Sequence, residues 1–172
     1  MFQTFITLLA LTTIYKMLSK KIMNHPKLVA FHAASIQLLR DMDTQVIFTC
    51  LFKTVIQAPI VEEIGFRYLL VNFLGLMISS SFYINLIQSF IFGMLHMTTA
   101  TFIITEVLDW KSEEEDVKIQ YAFEHYLKKI THMIQAWLLF NLSQKTNIFE
   151  SMVVHASLNF TLFVVAYVYA KY

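Results

Sequence analysis

Long apolar runs broken by short charged ones divide this chain into elements. A helix needs about 20 mainly apolar residues to cross ~30 Å of hydrocarbon, and Phe2–Leu18 is the first run to approach that length. A basic, polar stretch follows over Ser19–Asp43, with Asn24-His25-Pro26 as a turn signal. Within it Phe31–Leu39 predicts a short interfacial helix. A second span is expected over Thr44–Ile60, interrupted by Lys53 and Pro59. Tyr68–Ile84 and Asn85–Val107 then form two further apolar blocks with almost no break between them. Asp109–Lys129 is charged, and its Tyr121, Tyr126 and Ile130 with flanking lysines predict an amphipathic surface helix. Ile130–Leu142 is apolar but short for a span, and Met152–Ala170 is the last clear one. The expected fold is all-α: one integral membrane domain over residues 1–172, built as a multi-pass transmembrane bundle in a cell membrane.

Composition sharpens that reading. Hydrophobic residues make up 57% of the chain, above the ~45–50% of ordinary soluble domains, and the mean hydropathy is +0.57. The formal net charge of +1 comes with no basic stripe, so a nucleic-acid partner is not expected. The lone cysteine, Cys50, sits in an apolar run and reads as a small buried hydrophobe. The N-terminus is apolar from the start, without a basic leader or a small-residue cleavage pattern, and reads as a retained span. Lys16–Arg40 holds five Lys or Arg residues, which the positive-inside rule assigns to the cytoplasm. The loop after Val107 competes with four lysines, while its acidic run Glu113–Asp116 reads as a solvated loop.

Ionisable groups inside apolar runs cost several kcal/mol and mark function. Three places carry them. After Pro59 comes Glu62-Glu63-Ile64-Gly65-Phe66-Arg67. Glu63 and Arg67 form an i,i+4 pair in the favourable order, while Glu62 points about 100° away on a helix. One glutamate can therefore be an ion-pair partner while the other faces a cavity. The alternative is a helix starting at Pro59 on the membrane surface, with both glutamates solvated in its first turn. The second place is Phe92-Gly93-Met94-Leu95-His96. Phe92 lies one turn before His96 on the same face, and Gly93 permits close helix approach. The third is His155-Ala156-Ser157-Leu158-Asn159, whose His155 and Asn159 share a face. Alone, each could be core packing or an interhelical hydrogen bond worth ~1 kcal/mol. Together they supply a carboxylate base, a histidine and a histidine–amide face, the inventory for activating a water and holding an oxyanion in a polar intramembrane cavity.

Glu62-Glu63 with Arg67, Phe92 with His96, and His155 with Asn159, in that order, resemble the three motifs of the CPBP family, the CAAX-processing and Abi-type intramembrane proteases. The resemblance covers about residues 59–160, with Phe66, Ser89, Gly93 and Ser151 agreeing nearby. The chain departs from the family in Tyr68, where glycine is common, in the absence of glycines from Ile130–Leu142, and in its short length. The resemblance implies an intramembrane endopeptidase acting on peptide or prenylated protein substrates at the lipid bilayer. It implies that Glu62 activates the water with His96, that His155 and Asn159 hold the oxyanion, and that Glu63 and Arg67 position Glu62, with Phe92 supporting. Bacterial relatives are linked to bacteriocin self-immunity and peptide maturation, and the short chain resembles that kind. No cofactor is expected. His96, His155 and a glutamate could form an open zinc site, but Asn159 is a poor zinc ligand and a good donor, so the metal-free reading is favoured. The competing class is a non-catalytic membrane immunity or binding protein, and a transporter is weaker, since no inverted repeat is visible. His25, His32, His125 and His132 read as surface or interfacial residues.

Overall fold

A computed structural model describes residues 1–96 and 115–172, less the side chains of residues 31, 32, 34 and 35. Every regular element among the described residues is helical. The helices are α1 (Phe2–Ile22), α2 (Pro26–Asp41), α3 (Thr44–Gly75), α4 (Ser81–Leu95), α5 (Glu115–Lys145) and α6 (Ile148–Lys171). Asparagine, aspartate and histidine set three of the starts by accepting from orphan N–H groups of the first turn. Asp43 accepts from Val46 N at 2.8 Å, Asn147 from Glu150 N at 2.9 Å, and His25 Nδ1 from Lys27 N at 3.3 Å, ahead of Pro26.

The largest departure from the sequence reading is α3. Pro59 does not interrupt it. The expected span Thr44–Ile60 and the motif after it are one helix of 32 residues. Two wide π-helical stretches, Phe52–Gln57 and Glu63–Leu70, lie within it. Proline lacks the N–H that would bond one turn back, and its ring crowds the carbonyl there. The wide turn just before Pro59 opens that spacing and lets the helix run on. The expected block Tyr68–Ile84 is also divided. α3 stops at Gly75 and α4 begins at Ser81, after the turn of Leu76–Ser80. Leu76, Met77 and Ile78 hide that turn from a hydropathy reading. Asn85–Val107 is helical through Leu95, and residues 97–107 lie outside the described residues, as does 109–114 of the charged segment. The remaining charged residues and Ile130–Leu142 are one helix of 31 residues, α5, and Glu115 and Asp116 lie in its first turn, not in a loop. The short helix expected at Phe31–Leu39 is the longer α2.

α5 packs against α1, α4 and α6. Leu8, Leu139, Leu142, Val154 and Leu158 knit α1, α5 and α6 together, while Leu74, Ile84 and Phe140 join α3, α4 and α5. Polar bonds add to this seam: Tyr15 donates to Glu124, Gln135 Nε2 to Thr12 Oγ1 at 2.8 Å, and the Asn24 and His25 amides to Gln120 Oε1. Two helices, α3 and α6, are long and apolar enough to cross a membrane, and Ser81–Leu95 is apolar but shorter. The first expected span lies in α1, where four threonines and Lys16 leave it short of that apolarity. Along α3, Phe48, Phe52, Ile56, Ile60, Leu69 and Phe73 are all exposed. Such a stripe suits lipid and would be an association liability in water.

Candidate active site

Glu63 lies on the second wide turn of α3 and is 0% exposed. This excludes the solvated surface helix considered above. Its charge is matched by three groups. Ser151 Oγ donates to Oε2 at 2.6 Å, His155 Nδ1 lies 3.0 Å from Oε1, and Arg67 Nε lies 3.4 Å from Oε2. Arg67 is buried as well. Its Nη2 donates to Ala136 O on α5 at 3.4 Å, and its guanidinium carbon sits 4.6 Å from the centre of the Phe92 ring. Phe92 is therefore wedged between the cation and the imidazole of His96, 4.1 Å away centre to centre. Gln88, fully buried on α4, donates to the same Ala136 carbonyl and to Asn85 Oδ1, extending the polar seam towards Asn141.

Glu62 turns away from that pair into a cavity of about 460 Å³. Its side chain is 22% exposed, with Oε1 3.4 Å from His96 Nε2 and Oε2 3.6 Å from His155 Nε2. The helices thus bring His96, from the end of α4, and His155, from α6, each within ion-pair distance of Glu62 on α3. Asn159 lines the same cavity one turn after His155, and its Nδ2 donates to Thr54 O on α3 at 2.8 Å.

Ring tautomers follow from these partners. A carbonyl oxygen only accepts, so His96 Nδ1, 3.0 Å from Phe92 O, carries a hydrogen. His155 Nδ1 faces the Glu63 carboxylate and donates to it. Both rings therefore turn Nε2 towards Glu62. Neither contact is a hydrogen bond, and Glu62 Oε2 is buried without a hydrogen-bond partner among the described residues. The arrangement sets two imidazole nitrogens beside one carboxylate.

Among the described residues, no three His, Cys, Asp or Glu side chains are arranged to hold an ion.

Two contributors escaped the sequence reading. Ser151 is a ligand of Glu63, not merely a neighbour of the third motif. His132, read as a surface or interfacial residue, lines the cavity and stacks on His96 with centroids 4.9 Å apart. Neither carries a local signal, because each acts on a residue far away in sequence.

A family model described as type II CAAX prenyl endopeptidase, Rce1-like, matches residues 44–161. The chain belongs to the Rce1-like family. The matched segment runs from the first residue of α3 into α6 and contains Glu62, Glu63, Arg67, Phe92, His96, His132, Ser151, His155 and Asn159. Members of the Rce1-like family are membrane-embedded CAAX proteases, and the enzyme class of the chain follows. No curated protein and no solved structure matches it.

Proposed function

We propose that the chain is a multi-pass intramembrane endopeptidase that cuts peptide or lipid-associated protein substrates near the C-terminus with a water activated by Glu62. The observation that carries this reading is the division of labour between adjacent glutamates. Glu63 is saturated by Ser151, His155 and Arg67, whereas Glu62 faces the cavity beside two imidazole nitrogens. A base needs a lone pair within reach of its proton and surroundings that hold it there. Glu62 has both.

In the proposed reaction Glu62 takes a proton from water while His96 steadies the same water, and the hydroxide adds to the scissile carbonyl carbon. The resulting oxyanion is held by Asn159 and His155. One Asn159 amide hydrogen is used on Thr54 and the second remains to donate. The C–N bond then breaks, with the proton passing from Glu62 to the leaving nitrogen. A preorganised oxyanion donor of this kind contributes about 2.7–4 kcal/mol to the barrier. No step passes through a metal.

The test is direct. Full-length protein in liposomes, given a peptide ending in a CAAX-type tail, should yield two fragments by mass spectrometry. A peptide recovered intact would instead favour a non-catalytic binding protein that keeps the family's packing.

A further inference from the structure

His132 lies on α5, outside the three motifs, yet its ring stacks on that of His96, with an interplanar angle of 29°. Its position is fixed twice. The Nδ1 atom lies 2.8 Å from Lys128 O one turn back, so Nδ1 carries the hydrogen and Nε2 is left as an acceptor. The second constraint is the close crossing of α4 and α5 at Gly93. A Cβ there would sit 2.4 Å from Met133 Cγ and 3.1 Å from Lys129 O. Because Gly93 lacks one, the two helices meet tightly enough to stack His96 on His132.

Both rings are anchored in the same manner, Nδ1 to the carbonyl one turn back, and both line the cavity. They differ in what Nε2 meets. His96 and His155 present theirs to Glu62, and His132 does not. Among the three histidines that line the cavity in the described residues, it is the one whose Nε2 does not face the catalytic carboxylate.

A peptide entering such a cavity brings backbone N–H groups, and each one desolvated without a partner costs binding free energy. We propose that His132 Nε2 accepts a hydrogen bond from one backbone N–H of the substrate and so holds the chain in register with Glu62. The proposal rests on the reading of the cavity as a peptide-cleaving site. It makes His132 a substrate-contacting residue, with no proton transfer assigned to it.

The experiment uses full-length protein in liposomes and a CAAX-tailed peptide, together with a set of the same peptide N-methylated at one amide at a time. His132→Phe keeps an aromatic ring for the stack and removes the acceptor. It should lower kcat/KM about tenfold, mainly through KM, the size expected for one neutral hydrogen bond. His132→Gln, whose Oε1 reaches to about the place of Nε2, should recover most of that loss. One N-methylated peptide should cost the wild type about tenfold and cost His132→Phe nothing further, since the partner is already gone. Wild-type activity in His132→Phe would overturn the proposal. So would equal loss in the Gln and Phe variants, or a wild type indifferent to methylation at every amide. If His132→Phe does not fold, a wild type indifferent to methylation at every amide still overturns the proposal. A wild type that cuts none of the peptides would remove the protease reading itself, a result distinct from cleavage that ignores His132.

Discussion

Glu63 has its two oxygens divided among Ser151, His155 and Arg67, and is wholly withdrawn from solvent. A buried ion pair of this kind adds little over apolar packing, but removing one partner strands the other. Arg67→Ala should therefore destabilise the protein by about 3–5 kcal/mol, read as a large fall in melting temperature in detergent. An unchanged melt would mean that Glu63 is neutral or solvated. Ser151→Ala, which removes one hydrogen bond to a charged group, should cost about 1.5–3 kcal/mol, and a neutral result would show the contact to be incidental. The Glu63–Arg67 pair was legible in the sequence because i,i+4 spacing on a helix makes it local. Ser151 was not, because its contact spans 88 positions and a serine hydroxyl has no periodic signature. The same holds for His132, which looks like part of a charged surface helix until α4 is laid across it.

Along the helices, apolar runs located helical segments but missed where they join, since α3 and α5 each run through two expected segments. Hydropathy is blind to a turn made of Leu76, Met77 and Ile78, and it treats proline as a stop where a wide turn carries α3 past Pro59. Gly93 was readable as a close-approach residue, and the α4–α5 crossing depends on it. Gly93→Ala should destabilise by about 1–3 kcal/mol, the usual result of overpacking. It should also depress activity by shifting His96, which lies one turn beyond. Gly65 is the control. A Cβ there meets nothing within 4 Å, and alanine is the better helix former by about 1 kcal/mol, so Gly65→Ala should be neutral or stabilising in the same melt. Equal effects at the two glycines would contradict the packing described for α4 and α5.

For the whole molecule, the sequence led to a helical membrane protease, and the family match agrees in kind. Composition and spacing bore on class and left the arrangement open, since nothing local says that α5 is the helix on which α1, α4 and α6 pack. Because no three donors are arranged around an ion among the described residues, cleavage should survive 1,10-phenanthroline at concentrations that strip ordinary zinc proteases. One zinc per chain, with activity lost on chelation and restored by zinc, would demand a different mechanism. The central claim is that Glu62 is the base, and Glu62→Gln isolates it by keeping shape and removing the carboxylate. The decisive measurement is kcat on a CAAX-tailed peptide for wild type and Glu62→Gln in matched liposomes, with folding verified by equal melts. A fall of at least about 10²-fold, the scale of general-base catalysis, is the predicted result, and equal rates in the two proteins would contradict it.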